Sequence, residues 1–549
     1  MDAPPPPAAE PEPLPLPPPP APLPLPADPP PADEPHPPLG FTLRRLCHLG
    51  VLFACLFLVV RYVFVEPFGV TTGSMAETIH GNRREKPCPQ CGHPVCVGSR
   101  TKGDRTDPQD KAYCPNCGFG PLDLRTLDET FGDRLMVDKL VFRLRPPRRW
   151  EVAVFRCPSP QKRDEPITEF SPFEARLPVY EDRTPCENRT YVKRVVGLPG
   201  ERIRLLDGDV YADGQLLRKG LAEVREVRIP VFQMAYQPRP NGWADRWEVG
   251  PAVAPGLPAV APPKLPTVGE VVQDTALVLD ATAAPLALTY RHRNPGAKAH
   301  GPLTDWVGYN GGGSAFADDR PPGNPVHDFM AECEVEVVSG AGGVFSVQLG
   351  DGADEVSVLL PIQAEAGSAV VARGGSHHPF DRPFALVPGR RYKLEFAFFD
   401  RRVLVAVDGK QAAAPFDLPQ VGSNARQPRE EVRGEPLSRW AGATRPVRLQ
   451  CRGGHVVVRQ FTLWRDIHYR EGGGKHGVKS ECPLGANEYF LLGDNTASSF
   501  DSREWDTPGV PEHDFLGKPF LVHQPLKAAT VPVLGRVQAI DWERFRLLR

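Results

Sequence analysis

The chain has 549 residues, a formal net charge of −2 and 66 prolines. That length exceeds what one hydrophobic core organises, so two or three folded units are expected. The near-neutral charge removes the broad electrostatic case for nucleic acid as a partner, and the ordinary apolar content leaves membrane contact to one local segment.

Taken in chain order, residues 1–40 come first, and 20 of the prolines fall within residues 1–38. Such a tract has few backbone donors and no periodic apolar face, so it predicts a disordered, partly polyproline-II tail. The next segment, Leu46–Val65, reads LCHLGVLFACLFLVVRYVFV, and predicts a single transmembrane helix over residues 41–66. It follows a long tail and runs into Glu66-Pro67-Phe68, which speaks against a cleaved signal peptide. Arg61, near the end, can snorkel to the headgroups. Arg44 and Arg45 precede the segment, so the N-terminus is expected in the cytoplasm and everything after Val65 across the lipid bilayer.

Cys88-Pro-Gln-Cys91-Gly and Cys114-Pro-Asn-Cys117-Gly form two matching knuckles separated by 22 residues. Paired C-x2-C motifs at this spacing suit tetrahedral zinc. The segment 86–120 therefore predicts an inserted zinc ribbon with Cys88, Cys91, Cys114 and Cys117 as ligands and His93 or Cys96 as substitutes. Four thiolates leave no open position for water, so the expected zinc is structural. Cys157 with Cys186, and Cys333 with Cys451, are the remaining candidate bridges.

Two further segments carry reactive side chains. VEPFGVTTGSMAET (65–78) places Ser74 in a polar turn, and YVKRVVGLPGERI (191–203) places Lys193 inside a strand-like apolar run. Burial disfavours the charged form of a lysine and makes its amine a base for a serine hydroxyl. FGDRLMVDKLVFRL (131–144) is a charged turn entering an alternating strand. YFLLGDNTASSFDSR (489–503) is a strand followed by a polar turn. There Ser499 can orient the lysine nitrogen, and Asp501 and Arg503 can pair.

In this order these segments resemble the type I signal peptidases, over residues 60–80, 131–157, 190–217 and 482–525. The resemblance implies an antiparallel β-sheet catalytic fold on 67–217 and 471–549. It implies Ser74 as nucleophile and Lys193 as general base, with no cofactor for catalysis. Thr72 and the Ser74 N–H would form the oxyanion hole, and Met75, Ser499, Asp501 and Arg503 would support the site. The implied substrates are exported preproteins, cut after small residues of the Ala-x-Ala kind at a bacterial cell membrane. Two departures stand out: Glu77 replaces a proline usual after the nucleophile, and Thr496-Ala497-Ser498 replace the middle of the GDNRDNSxDSR pattern.

Residues 218–270, rich in Pro, Ala and Val, read as a linker. Over 271–470 short runs alternate: Cys333, Val335 and Val337 against Glu332, Glu334 and Glu336, then Leu394, Phe396 and Phe398 before turns at Asp400-Arg401 and Asp408-Gly409. Such patterning predicts an inserted antiparallel β-sandwich, making the whole chain mainly β. YKLEFAFFDRRVLVAVDGK resembles the hairpin of laminin-G or concanavalin-like jelly rolls. A glycan or other surface ligand and a plain spacer both stay open as its role. Asp351 and Asp354 read as turn residues, not a calcium site. The segment 230–468 is expected to be separable from the peptidase. The alternative reading of the whole chain is a membrane-tethered binding protein on an inactive peptidase scaffold.

Overall fold

The computed structural model describes residues 39–548, apart from 100–110, 125, 158–189, 240–241, 243, 253–264, 274, 298–299, 312–322, 364–366, 373–375, 420–430, 433–434, 437–442, 472–473, 525, 532–534 and 543. The Pro-rich tail over 1–38 and Cys186 fall outside these residues. Cys157 is disulfide-bonded. Cys333 and Cys451 are buried free thiols, which corrects the second expected bridge: they lie on the strands Phe329–Ser339 and Val447–Arg452 of different sheets, where they serve as core packing.

Residues up to Val59 form one compact unit and Val60–Arg549 the other. The first contains the helix Leu39–Val59. Its Leu49, Leu52, Phe53 and Leu56 side chains are exposed. Among the described residues no helix is long and apolar enough to cross a membrane. The expected transmembrane helix over 41–66 is therefore not found. After the charged Arg44 and Arg45, the apolar α-helical run is Leu46–Val59, about 21 Å at ~1.5 Å per residue against a hydrocarbon core of ~30 Å. Val60–Phe64 then continues as a π-helical turn, and Val65 already begins a strand.

In the second unit, an antiparallel sheet runs in the order Val65–Gly69, Arg134–Asp138, Phe515–Val522, Val152–Arg156, Thr190–Gly197, Glu488–Leu492, Gly509–Pro511. The strands Val152–Arg156 and Thr190–Gly197 lie in its middle and are largely buried on both faces, the second with Lys193 and Arg194 among its buried residues. Val154 and Val192 pack with Met75 and Ile79; Ala153 and Val195 pack with Trp505 and Leu491. A smaller sheet, Gln215–Leu216, Asp209–Ala212, Arg202–Leu206, Cys482–Pro483, stands beside it.

The intervening residues form a nine-stranded and a seven-stranded sheet, with inner faces sharing one core that includes Phe329, Val335, Val347, Val358, Phe396 and Val405. In Phe329–Ser339 the odd positions from Cys333 to Val337 are buried and Glu332, Glu334 and Glu336 are half-buried. The pattern changes in Arg391–Phe399, buried on both faces from Leu394 onwards. Its outward Ala397 and Phe399, with Met330 and Leu404, pack against Val196, Ile203 and Leu492 of the two sheets described first. Both hairpin turns use positive φ, at Asp400 and Arg401 and at Asp408 and Gly409, the twist-matched geometry of tight β-hairpins.

Residues 218–270 depart from a plain linker. Leu221–Val227 is helical, Ile229–Gln233 pairs with His455–Arg465, and Trp247–Pro251 pairs with Leu286–Tyr290. Proline is tolerated there because these strands sit at sheet edges or off the main ladder.

Candidate active site

Ser74 lies on a compact turn after the first strand. Ala76 N–H donates to the Gly73 carbonyl at 3.1 Å and Ile79 N–H to that of Met75 at 2.8 Å. Met75 and Ala76 are buried at 1 % and 0 % exposure and anchor the turn, while Ser74 stays half-buried. Thr72 sits on the same turn, with Gly81 backbone directly against its carbonyl.

Lys193 comes from the central strand Thr190–Gly197, paired in register with Ala153. It is 1 % exposed, and its Nζ donates to Ser499 Oγ at 2.9 Å. Ser499 Oγ in turn donates to Asp501 Oδ2 at 2.8 Å. Arg503 closes the chain with a fork onto Asp501, Nε to Oδ1 and Nη2 to Oδ2, both at 2.8 Å. Burial alone would raise the Asp501 carboxyl; the Arg503 charge and hydrogen bonds, then Lys193 and the Gly493 N–H, outweigh it and hold it below the usual carboxylate range. The Asp501 charge is thus matched by Arg503, and one hydrogen on the Lys193 nitrogen is committed to Ser499.

Gly493 brings Ser74 to this chain. A Cβ on Gly493 would fall 2.1 Å from Ser499 Oγ and 2.5 Å from the Ser74 carbonyl oxygen, so both groups crowd one point that only a glycine leaves free. Asn495 locks the same approach: its N–H donates to the Ser74 carbonyl at 3.0 Å and its Nδ2 to that of Gly73 at 2.9 Å. The loop is tied to the lysine strand by Arg194, whose Nε and Nη2 donate to Asp494 at 2.8 and 2.6 Å. Ser74, Lys193, Ser499, Asp501 and Arg503 are thereby brought into one neighbourhood. Sequence reasoning did not single out Gly493, Asn495 or the Arg194–Asp494 pair, although all but Arg194 lie in the quoted LLGDNTASSFDSR segment.

Glu77, where the resemblance calls for proline, holds His80 Nε2 at 3.1 Å and accepts from the Tyr309 N–H at 3.2 Å. Tyr309 belongs to the short 3-10 turn Gly308–Asn310 of the intervening two-sheet part. Its ring occupies the space a side chain on Gly73 or Gly98 would need, and its hydroxyl donates to the Asn82 carbonyl at 2.7 Å. Asn310 and Asn495 exchange two amide hydrogen bonds, each 2.7 Å. No local sequence signal marks Val307–Asn310 as a neighbour of Ser74.

Cys88, Cys91, Cys114 and Cys117 are free and buried, with ligand atoms all within 4.8 Å of one another. Cys88–Cys117 and Cys91–Cys114 sulfur separations are both 3.6 Å, close to the ~3.8 Å edge of a tetrahedron with ~2.3 Å Zn–S bonds. Gly92 and Gly118 take positive φ after each pair, making the knuckle turns. The donor set fits zinc. His93 instead lies edge-on against the Tyr236 ring at 4.8 Å, and Cys96 Sγ is 3.9 Å from His80 Nδ1, so neither stands in as a ligand. Asp351 and Asp354 both hold Arg401.

The family model described as signal peptidase, peptidase S26, matches residues 126–239 and 405–523. Signal peptidase I of Leptolyngbya laminosa is 30 % identical over 139 residues, 24 % of this chain and 56 % of that protein. The probable signal peptidase I-2 of a Synechocystis species is 30 % identical over 116 residues, 21 % of this chain and 40 % of that protein. The chain thus spans about half the length of the curated relatives it matches. Among solved structures, a Caenorhabditis elegans galectin is similar at 16 % identity and a TM-score of 0.17, covering 26 % of this chain and 81 % of that one. Ser74 precedes both family-matched segments, and its place beside the site rests on the Gly493 and Asn495 geometry. Lys193, Ser499, Asp501 and Arg503 all fall within those segments.

Proposed function

We propose that the protein is a serine endopeptidase that removes N-terminal signal peptides from exported preproteins, cutting after small residues of the Ala-x-Ala type. The observation that carries this reading is the buried Lys193 nitrogen, hydrogen-bonded through Ser499 to an Asp501 already paired with Arg503, beside the Ser74 turn. No histidine takes part in that chain. Neutral Lys193 accepts the Ser74 hydroxyl proton as Oγ bonds to the scissile carbonyl carbon. The oxygen that becomes negative is taken up by the Ser74 N–H and the Thr72 hydroxyl. When the C–N bond breaks, the Lys193 ammonium returns its proton to the leaving amine, leaving an ester on Ser74. Water then loses a proton to Lys193, attacks that ester, and the Ser74 oxygen leaves with the proton. Met75, buried with Ile79 and Val154, supports the cleft.

Under the same reading, Cys88, Cys91, Cys114 and Cys117 hold one structural zinc, whose four thiolates leave it no catalytic opening. The exposed apolar side chains from Leu46 to Phe64 associate with the bilayer of a bacterial cell membrane, where preproteins present their own apolar segments. The test is cleavage of a preprotein by the purified full-length protein in detergent. Wild type should release the signal peptide and Ser74→Ala should not; equal activity in both would end the proposal.

A further inference from the structure

We propose that the Val307–Asn310 turn of the intervening two-sheet part is a positioning element of the catalytic centre, with Asn310 and Tyr309 holding the Gly73–Ser74 turn in register with Ser499 and Lys193. This rests on the peptidase reading and adds to it a part of the chain that the family-matched residues 126–239 and 405–523 only partly include.

Three contacts carry the inference. Asn495 has two tasks: its backbone N–H and side-chain Nδ2 bind the Ser74 and Gly73 carbonyls, and its amide also exchanges two 2.7 Å hydrogen bonds with Asn310. An asparagine amide that both donates and accepts toward one partner has its plane fixed, so Asn310 sets the orientation of the group that grips the nucleophile turn. Tyr309, 4 % exposed, packs with Ala76 and Val307 and fills the space over Gly73. Glu77 binds the Tyr309 N–H from the other side of the same turn.

Both departures from the signal-peptidase pattern contact the intervening part of the chain. Glu77 is one. Thr496, in the second, donates its hydroxyl to the His468 carbonyl at 2.8 Å, just past the strand His455–Arg465 of the nine-stranded sheet. Where the resemblance expects a proline to stiffen the nucleophile turn from within, this chain has side chains that receive a second structural part. Placing a nucleophile within a fraction of an ångström of its base is worth large factors in rate, and here the intervening part contributes to that placement.

The test uses the full-length protein and two readouts. Hydrogen exchange is followed in the turnover-free Ser74→Ala protein with and without Asn310→Ala; kcat and KM are measured in the Ser74-containing proteins on an Ala-x-Ala peptide. Asn310→Ala should speed exchange about tenfold at residues 70–82 and 493–499, with the rest of the sheets unchanged. It should lower kcat about tenfold or more with KM within about threefold. Asn310→Asp, which still accepts from Asn495 Nδ2, should recover part of the kcat. Unchanged exchange with kcat within about twofold of wild type overturns the proposal, and so does faster exchange spread over both large sheets. A wild type that cleaves nothing removes the peptidase reading instead, and the exchange comparison then decides the positioning role alone.

Discussion

Lys193 and Asp501 are buried to 1 % and 0 % exposure, and each demands a different kind of variant. Lys193→Met keeps length and apolar packing, so the fold should survive while the base is lost. Lys193→Arg keeps a charge that cannot be shed at working pH. Both should lose at least about 10⁴-fold in kcat/KM, as expected when one member of a catalytic unit is removed. In wild type, kcat/KM should rise with pH as Lys193 gives up its proton, and none of the fourteen histidines, replaced singly, should move that limb. A pH–rate profile showing a limb that follows a histidine variant would name a different base. Asp501→Asn leaves Arg503, 2 % exposed, as a buried charge without its counter-ion. Loss of about 3–5 kcal/mol of stability is expected, read as an earlier denaturant midpoint together with loss of cleavage. Glu77 and His80 set a second pH dependence. Burial would raise the Glu77 carboxyl, but the His80 contact, the Tyr309 N–H and Arg544 bring it from 4.5 down to about 2. Burial and the Arg544 charge push His80 from 6.5 down to about 4. Both groups bind fewer protons folded than unfolded, so their stabilisation is complete above about pH 6.5. It is lost as pH falls, first through the histidine and then through the carboxylate. Thermal unfolding between pH 7 and 4 should show the Ser74 turn loosening earlier in wild type than in Glu77→Gln/His80→Gln.

At the scale of elements, the two knuckles behave as a clasp between parts of the chain. Asn116 of the second knuckle exchanges hydrogen bonds with Gln233, Oδ1 accepting at 2.7 Å and Nδ2 donating at 3.0 Å, and Arg239 N–H donates to the Gln90 carbonyl of the first at 2.9 Å. The four cysteines share their core with Phe232, Met234 and Trp247. About one zinc per chain is expected by elemental analysis, and Cys88→Ser or Cys117→Ser should lose it. Because metal binding at such a site is folding free energy, those variants should become protease-sensitive around residues 80–130. A metal-free wild type with the same protection would remove the zinc. These motifs were legible because ligand spacing is a local property. The strand Phe329–Ser339 was equally legible, its period-2 alternation being written in adjacent residues. Arg391–Phe399 was only half legible: its second buried face answers to Val196, Ile203 and Leu492, residues far away in sequence.

Across the whole molecule, contacts between residues 230–468 and the rest of the chain bear on the expected separability of that segment. Beyond Asn310 and Tyr309, Lys219 lies 3 % exposed between Asp400 and Asp466 at 2.9 and 2.6 Å, next to the Trp150 ring. Burial would lower the lysine, but the two carboxylates override it and raise it, keeping it charged. Replacing 230–468 by a flexible linker would strip those partners and uncover Val196, Ile203 and Leu492. The deleted protein should lose cleavage and bind a hydrophobic dye; full activity with an intact circular-dichroism spectrum would restore the view of an independent domain. The sequence by itself determined the alternating strands, the hairpin turns, the paired knuckles and the order of the Ser74, Lys193 and Ser499–Arg503 segments, because backbone period, turn chemistry and ligand spacing act over a few neighbouring residues. Tertiary structure alone decided that the Leu46–Val59 run gives way to a π-helical turn and a strand, that Cys333 and Cys451 stay apart, and that Ile229–Gln233 and Trp247–Pro251 join the sheets. It also decided that Asn310 grips Asn495 beside the Ser74 turn. Each of these depends on packing and hydrogen bonds between residues distant along the chain, where no local pattern carries the information.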